Sequence, residues 1–197
     1  VLIGMMGAGK SAIGRMVAQK LKIPFVDADH EIELAADLSV EEIFTNHGEQ
    51  HFRDGECRVI ERLLDTSPCI LATGGGAYIQ DKTRDVIQKG GISVWMNGDF
   101  DVLWERVSRR SHRPLLKTAD PQGTLKKLMA ERYPIYEKAD ITVLSEDISK
   151  EAMRDTRQTG GPVYFNISQE SVSPAQTCRA IECRRQRFAP AHRASMP

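Results

Sequence analysis

The feature that most constrains this chain is the octet GMMGAGKS, which directly follows the apolar run VLI at the start of the sequence. It fits the pattern G-x-x-x-x-G-K-[ST], a glycine-rich turn between a strand and a helix that holds the phosphates of a nucleoside triphosphate. Gly4, Gly7 and Gly9 let the backbone turn tightly and direct N–H groups at the β-phosphate. Lys10 brings positive charge to the β- and γ-phosphates, and the Ser11 hydroxyl is placed to ligate Mg²⁺. The octet predicts the phosphoryl donor and leaves the acceptor open.

Composition excludes several classes of function. The 197 residues include 27 basic and 27 acidic side chains, so the chain is formally neutral and has no global basic field for nucleic acid. A hydrophobic content of 41% is typical of a globular domain, and no apolar run approaches the roughly 20 residues that span a membrane. The four cysteines form no C-x-x-C pair, which predicts reduced thiols rather than a disulfide framework or a zinc site. We expect a cytoplasmic monomer that binds neither nucleic acid nor membrane.

Short apolar runs without alternation recur along the chain and predict a parallel sheet with helices on both faces, an α/β fold. The predicted strands are residues 1–3, 23–27, 69–72, 92–96 and 141–144. Because the chain begins without Met inside the first of these, we expect that native residues before Val1 have been removed. That truncation should weaken the centre of the sheet and leave the glycine-rich loop intact.

Helical patterns fill the intervals between the predicted strands. They cover residues 11–21, a helix opened by the capping box SVEE at residues 39–42, residues 49–64, and a helix carrying Leu103 and Val107 with Asp99 as its cap. The basic segment 109–123 is punctuated by Pro and Gly and predicts a mobile loop. Ser149 would cap a further helix that the sequence TGGP ends at once, and we expect poor order after it.

Two carboxylates follow the second predicted strand, in the stretch FVDAD. Carboxylates at a strand end in this type of fold lie where metal and acceptor meet. Residues two apart on an extended segment point the same way, so we expect Asp27 and Asp29 to share the site, one holding Mg²⁺ through water and the other engaging an acceptor hydroxyl. The alternative makes Asp29 the N-cap of a helix that contains EIEL.

Two further motifs offer ligand-binding groups. In FRDGE, Arg53 follows an apolar anchor within a helix, and taken alone it is most simply a solvated charge on the helix face. In TGGGA, Gly74, Gly75 and Gly76 follow the third predicted strand. Successive glycines there predict backbone N–H groups that approach a ligand closely, the alternative being a plain loop.

Arginines in the second half of the chain complete the candidate set. In HRPLL, Arg113 is held extended by the following proline, which suits an arginine that swings over phosphates when a lid closes. In ERYPIYEKAD, Arg132 lies at a predicted helix end near the last strand. The pair His47 and His51 is a poor metal site, because Gly48 stands where a zinc-protease motif needs Glu and breaks the helix that would align the ligands.

Taken together and in this order, GMMGAGKS, FVDAD, FRDGE, TGGGA, RPLL and R-x-P-x-Y-x-x-A-D resemble the shikimate kinase family over about residues 1–150. The resemblance implies a P-loop fold like that of nucleoside monophosphate kinases, three-layered, with a five-stranded parallel sheet in the order 2-3-1-4-5. It also implies transfer of the ATP γ-phosphoryl group to the 3-hydroxyl of shikimate, on the route to chorismate and the aromatic amino acids.

The resemblance also divides the chain. It implies a P-loop domain over residues 1–155, with a substrate-binding part at about 28–62 and a lid at about 109–123. Residues 156–197 depart from the family's closing amphipathic helix and are expected to form an atypical, poorly ordered tail. The family builds part of its adenine pocket from the loop after the last strand, here near residues 145–149, so the chain leaves the family pattern on the adenine side.

The resemblance assigns roles residue by residue. The positions that match shikimate-binding ones are Asp29, Arg53 and Arg132, with the glycine run Gly74, Gly75 and Gly76. Those that match ATP-binding ones are Gly7, Ala8, Gly9, Lys10, Ser11, Ala12, Arg106 near adenine and Arg113 on the lid, and those near Mg²⁺ are Ser11 and Asp27. Lys10, Asp29 and Arg113 match catalytic positions.

The chemistry of the acceptor agrees with these roles. Two arginines suit bidentate capture of the single carboxylate of shikimate, and Asp29 can accept hydrogen bonds from ring hydroxyls. Whether Asp29 only orients a hydroxyl or also acts as a base stays open, since a loose transition state needs little proton abstraction.

Two rival functions remain at this point. One is a kinase of another small molecule, such as gluconate or a nucleotide; a nucleotide would need a base pocket, whereas FRDGE with TGGGA suits a compact anionic polyol. The other is a homologue that binds nucleotide without catalysis, which would not require the whole acceptor set.

Overall fold

A computed structural model of the chain describes residues 1–109 and 118–145. Its centre is a five-stranded parallel sheet in the order β2-β3-β1-β4-β5, as predicted. The strands are β1 (Leu2–Ile3), β2 (Phe25–Asp27), β3 (Ile70–Ala72), β4 (Val94–Asn97) and β5 (Ile141–Leu144). Each lies within two residues of its predicted ends. The short β1 is nevertheless central, because it pairs with β3 on one side and β4 on the other.

Helices follow the strands as expected for a parallel sheet, whose crossovers need an intervening element. They are α1 (Lys10–Leu21), α2 (Ala28–Ala36), α3 (Val40–Thr66), α4 (Asp81–Gly90), α5 (Phe100–Ser108) and α6 (Pro121–Tyr136), with a 3₁₀ turn at Ala77–Ile79. Among the described helices, none is long and apolar enough to cross a membrane.

The element α3 contains the two predicted helices, which meet at a break. Ser39 and Glu42 form the predicted capping box, each side chain bonding to the backbone N–H of the other. Gly48 has φ 81° and ψ 171°, outside the helical region, and separates the two parts. The sequence prediction that Gly48 interrupts the helix between His47 and His51 is confirmed. The two imidazole rings lie with their centroids 4.9 Å apart and their planes tilted by 36°.

Apolar side chains form two cores of different size. The larger lies against the sheet and includes Ile3, Leu71 and Met96, each at most 1% exposed. The smaller joins α2 to α3 through Ile32, Ile43, Phe52 and Val59. The second core fixes α2 and α3 beside the carboxyl ends of the strands, which is where ligands bind in open parallel sheets.

Several local predictions need correction or fall outside the described residues. Asp99 occupies the N-cap position of α5, but its side chain makes no capping hydrogen bond. The predicted loop 109–123 is too long, because α6 begins at Pro121, a favoured first helical residue, with Asp120 as its cap. Residues 110–117, the predicted helix after Ser149 and the predicted tail lie outside the described part of the chain.

Candidate active site

The phosphate-binding loop has the backbone that its glycines predict. Gly4, Gly7 and Gly9 have φ values of 136°, 83° and 87°, which L-residues with side chains rarely adopt. Gly9 is the N-cap residue of α1, so the loop leads directly into a helix N-terminus, where free N–H groups and the helix dipole attract phosphate.

The Lys10 side chain lies along this loop. Its Nζ atom donates to the carbonyl oxygens of Gly4 at 2.8 Å and Met5 at 3.0 Å. These contacts hold the ammonium group against the backbone of the loop, within reach of the phosphates of a nucleotide bound there.

A hydroxyl and a carboxylate lie in contact beside the loop, one at the start of α1 and the other at the end of β2. The Ser11 hydroxyl donates to Asp27 Oδ2 at 3.2 Å. A hydroxyl and a carboxylate are hard oxygen ligands of the kind that Mg²⁺ takes together with substrate phosphates and water, rather than from a dedicated protein cage. Among the described residues, there is no cluster of three or more His, Cys, Asp or Glu side chains suited to a metal.

The relation between Asp27 and Asp29 differs from both predictions. Asp27, not Asp29, is the N-cap of α2, and its Oδ1 accepts from the backbone N–H of Asp29 at 3.3 Å. Asp29 therefore lies in the first helical turn and not on an extended segment. The two carboxylates are still close enough for Asp27 to raise the pKa of Asp29.

At the predicted acceptor side, three successive glycines lie against ionic side chains from different helices. A methyl group placed on Gly74 would lie 2.8 Å from Asp29 Oδ1 and 3.3 Å from Glu56 Oε1. One on Gly75 would lie 3.2 Å from Arg132 Nη1, and one on Gly76 would lie 2.4 Å from Arg53 Nη2. The glycine run thus gives room for three side chains to converge, from α2, α3 and α6. All the sequence-predicted acceptor residues come together here.

Arg53 is not the solvated helix-face charge that its motif suggested when taken alone. Its side chain is only 14% exposed, and Nη1 donates to Glu56 Oε2 at 2.7 Å. Its Nε and Nη2 atoms also donate to Glu49 Oε1, at 3.4 and 3.3 Å. The guanidinium carbon lies over the Phe52 ring, 5.1 Å from its centroid, and makes a cation–π contact with it.

Glu56 is a buried partner of Arg53 that the sequence did not single out. It is fully buried, and its Oε1 atom has no hydrogen-bond partner among the described residues. Burial raises its pKa to about 7, against the opposing charge and hydrogen bond of Arg53. A signal was present: Glu56 shares the buried helix face of Phe52 and Ile60 at intervals of four, and a carboxylate on an apolar face usually has a specific partner.

Burial also governs Asp29. Desolvation is the largest cause of its raised pKa, followed by the charge of Asp27, whereas Lys10 and Arg53 act in the opposite direction. A carboxylate with this environment is a better proton acceptor than an exposed one.

On the nucleotide side, Arg106 reaches from α5 to the phosphate-binding loop. Its Nη1 atom donates to the carbonyl oxygen of Gly7 at 3.3 Å and to Ser145 Oγ at 2.9 Å. Ser145 in turn donates to the carbonyl oxygen of Ala8 at 3.1 Å. Arg106 thus lies beside the phosphate-binding loop, and its assignment to the adenine side stays a prediction. Arg113 lies outside the described residues.

Comparisons with known proteins point in one direction. The profile of the shikimate kinase family matches residues 6–159. A shikimate kinase of Rhizobium meliloti (strain 1021) is 57% identical over 153 residues, covering 78% of this chain and 80% of the relative. One of Rhodopseudomonas palustris is also 57% identical, over 155 residues, with coverages of 79% and 76%.

Solved structures give the same answer. A shikimate kinase from Acinetobacter baumannii in complex with shikimate has 33% identity and a TM-score of 0.69, covering 79% of this chain and 90% of its own. The enzyme from Aquifex aeolicus has 35% identity and a TM-score of 0.65, with coverages of 81% and 98%. A gluconokinase from Sinorhizobium meliloti shares only the fold, at 16% identity and a TM-score of 0.52.

Proposed function

This chain belongs to the shikimate kinase family, and from that premise we propose that it transfers the γ-phosphoryl group of ATP to the 3-hydroxyl of shikimate, giving shikimate 3-phosphate and ADP. The reaction serves aromatic amino acid biosynthesis by way of chorismate. The observation that carries the proposal is the glycine run with its three converging side chains, two cationic and one anionic, next to a phosphate-binding loop.

The acceptor side has the charges that shikimate needs. In the proposal, the guanidinium groups of Arg53 and Arg132 bind its single carboxylate, which planar forked donors hold well. Asp29 accepts a hydrogen bond from a ring hydroxyl, and the backbone of Gly74, Gly75 and Gly76 lets the ring approach closely. Glu56 supports this arrangement because it holds Arg53 from the buried side.

On the donor side, we assign phosphate binding to the loop. The backbone of Gly7, Ala8, Gly9 and Ala12 surrounds the phosphates in this assignment. Lys10 neutralises charge that develops on the transferring group, and Arg113 adds to it from the lid. Arg106 supports the adenine side through its contacts with Gly7 and Ser145.

Ser11 and Asp27 would hold Mg²⁺ together with the nucleotide phosphates, since their oxygen atoms already meet at 3.2 Å. When bound, the ion supplies charge neutralisation on the β- and γ-phosphates. In the proposal Asp29 orients the acceptor hydroxyl toward the donor, and its raised pKa also suits it to take the hydroxyl proton as the bond to phosphorus forms.

We further propose that the chain works as a monomer in the cytoplasm. Asp29, Arg53 and Arg132 all come from one chain, so no second subunit is needed to complete the acceptor side.

An assay of ADP release from ATP and Mg²⁺ tests the function. Shikimate, gluconate, a nucleoside monophosphate and no acceptor are compared at equal concentration. We expect only shikimate to stimulate turnover strongly. Stimulation by gluconate or a nucleotide but not by shikimate would contradict the proposal, and acceptor-independent or absent turnover would favour a nucleotide-binding homologue.

Arg53→Ala provides the residue-level test. We expect it to raise the KM for shikimate by about 10- to 100-fold, because hydrogen bonds from a charged group to the substrate are lost. The KM for ATP should change little. Arg62→Ala is the matched control, since Arg62 lies on the same helix, is 57% exposed and pairs at the surface with Glu31. Equal kinetic constants for the two variants would remove Arg53 from the site.

A further inference from the structure

The Tyr136 side chain lies between the proposed acceptor side and the phosphate-binding loop. It is fully buried at the end of α6, one helical turn after Arg132. Its hydroxyl donates to the carbonyl oxygen of Gly75 and lies 4.0 Å from the Sδ atom of Met5 in the phosphate-binding loop. One side chain therefore contacts the glycine run and the donor loop at once.

The same hydroxyl faces Arg132. A methyl group built on Gly75 would lie 3.2 Å from Arg132 Nη1 and 3.6 Å from the Tyr136 hydroxyl, so the three groups share one small space. Burial raises the pKa of Tyr136, and the charge and hydrogen bond of Arg132 oppose that rise. The phenol has one proton, and it is given to Gly75; its lone pairs are left to accept from the guanidinium.

We propose that Tyr136 is a positioning residue for the phosphoryl acceptor: its hydroxyl links the Arg132 guanidinium to the Gly75 backbone and so fixes the distance between them. The inference rests on the proposed function, since it concerns how Arg132 and the glycine run bind shikimate. Without the hydroxyl, the Gly75 carbonyl loses its donor and Arg132 loses an acceptor that orients its long side chain. Both changes weaken the binding of shikimate and leave the phosphate-binding groups in place.

Tyr133 offers a matched control one turn earlier on the same helix. Its hydroxyl also donates to a glycine carbonyl, that of Gly98, which lies after β4 and outside the glycine run. Both tyrosine rings contact Trp95, with centroids 5.1 Å away for Tyr133 and 6.1 Å away for Tyr136. Tyr133→Phe and Tyr136→Phe therefore each remove one hydroxyl from the same aromatic cluster, but only the second touches Arg132 and Gly75.

Steady-state kinetics of the two variants test the proposal. We expect Tyr136→Phe to raise the KM for shikimate about three- to tenfold, the range for one net hydrogen bond, with kcat and the KM for ATP within about twofold of the unsubstituted chain. Tyr133→Phe should leave the KM for shikimate unchanged. Thermal unfolding of both variants checks the fold, and Tyr136→Met removes the same hydroxyl with a more adaptable side chain if phenylalanine does not fold.

A double-mutant cycle separates positioning from general loosening. In an Arg132→Ala background, we expect Tyr136→Phe to cause a smaller further increase in the KM for shikimate, because the part of its effect that passes through Arg132 is already lost. An unchanged KM in the single variant, the same fold-increase in both backgrounds, or an equal increase for Tyr133→Phe would each overturn the proposal. Lack of shikimate-dependent turnover in the unsubstituted chain would instead overturn the proposed function.

Discussion

The phosphate-binding loop and the acceptor side are built in different ways. The loop groups proposed to face the donor lie in one stretch of chain between Gly4 and Ala12, whereas α2, α3 and α6 each contribute one side chain to the acceptor side. The phosphate-binding loop is a local structure, because glycines with positive φ and a helix N-terminus are enough to make it. The acceptor side is a tertiary structure, because its three side chains come from helices that pack separately. The second core places α2 and α3, which carry Asp29 and Arg53, whereas α6, which carries Arg132, packs in the larger core. The loop can be recognised in eight residues, and the acceptor side depends on the whole fold.

The cations on the two sides are held differently. Lys10 donates to backbone carbonyls of its own loop, but Arg53 donates to two carboxylates, one of them fully buried. A neutral carbonyl attracts an ammonium less strongly than a carboxylate attracts a guanidinium, and the forked geometry of the second pair also fixes its orientation. We therefore expect donor-side changes to affect mainly kcat and acceptor-side changes mainly the KM for shikimate.

Lys10→Met is the change with the largest expected effect. Methionine keeps the approximate length of the side chain but removes the charge that we propose stabilises the transition state, so kcat should fall about 10²- to 10³-fold. Shikimate affinity, measured by calorimetric titration, should stay within about threefold. A large loss of shikimate affinity would break the proposed division between the two sides.

Gly76→Ala tests the acceptor side without deleting any charged group. Gly76 has φ −89°, which alanine adopts readily, so the effect comes only from the methyl group, 2.4 Å from Arg53 Nη2. Displacement of the guanidinium should raise the KM for shikimate about tenfold or more and change the KM for ATP little. Kinetic constants equal to those of the unsubstituted chain would show that Arg53 moves without loss.

Gly55→Ala is the control for this substitution, because a methyl group there meets nothing within 4 Å. Since Gly55 lies inside α3, alanine should stabilise the fold by up to about 1 kcal/mol in urea unfolding. The KM for shikimate should stay unchanged.

The contrast between local and tertiary construction explains what the sequence could and could not predict. The five strands, their order and the loop follow from apolar runs, glycines and the family motifs, and the structure confirms them. The error at Asp29 arose because the end of β2 passes into a helix without a connecting loop, so that Asp27 takes the capping position. Capping residues compete over one or two positions, and sequence alone seldom decides between them.

Arg53 and Glu56 show the second limit. Nothing local distinguishes an exposed helix arginine from one that packs over Phe52 and pairs with a buried carboxylate. That difference depends on the packing of α3 against the glycine run, which a helical pattern does not specify. Only the order of motifs along the chain indicated that Arg53 belongs to the site.

Glu56→Gln tests how firmly the acceptor side holds Arg53, through the pH dependence of the free energy of unfolding. The pKa of Glu56 is about 7 in the folded protein against an ordinary 4.5, so between these values the folded state binds the proton more tightly than the unfolded state. Glu56 therefore makes the free energy of unfolding fall as pH rises from about 4.5 to about 7. Glutamine does not titrate, so its variant should lose less stability over this range, by on the order of 1–3 kcal/mol.

Urea unfolding at pH 5, 6 and 7.5 measures this difference. Glu61→Gln, at an exposed position of the same helix, is the control, and it should follow the unsubstituted chain at every pH. If Glu56→Gln also ran parallel to the unsubstituted chain, the buried carboxylate would not titrate with folding, and the view of Glu56 as a desolvated anchor for Arg53 would be wrong.

Ser145→Ala has the smallest expected effect and tests whether the donor side is as local as the comparison holds. Ser145 accepts from Arg106 and donates to Ala8, so it is a tertiary support for an otherwise contiguous loop. Removal of one hydroxyl should raise the KM for ATP about two- to fivefold and leave the KM for shikimate unchanged. Ser108→Ala, which removes an exposed hydroxyl bonded to the carbonyl of Glu105 on α5, should change neither. An unchanged KM for ATP in Ser145→Ala would mean that residues 4–11 hold the nucleotide without help from the end of the last strand. An increase in the KM for ATP larger than the increase in the KM for shikimate caused by Gly76→Ala would mean that the donor side also depends on tertiary structure.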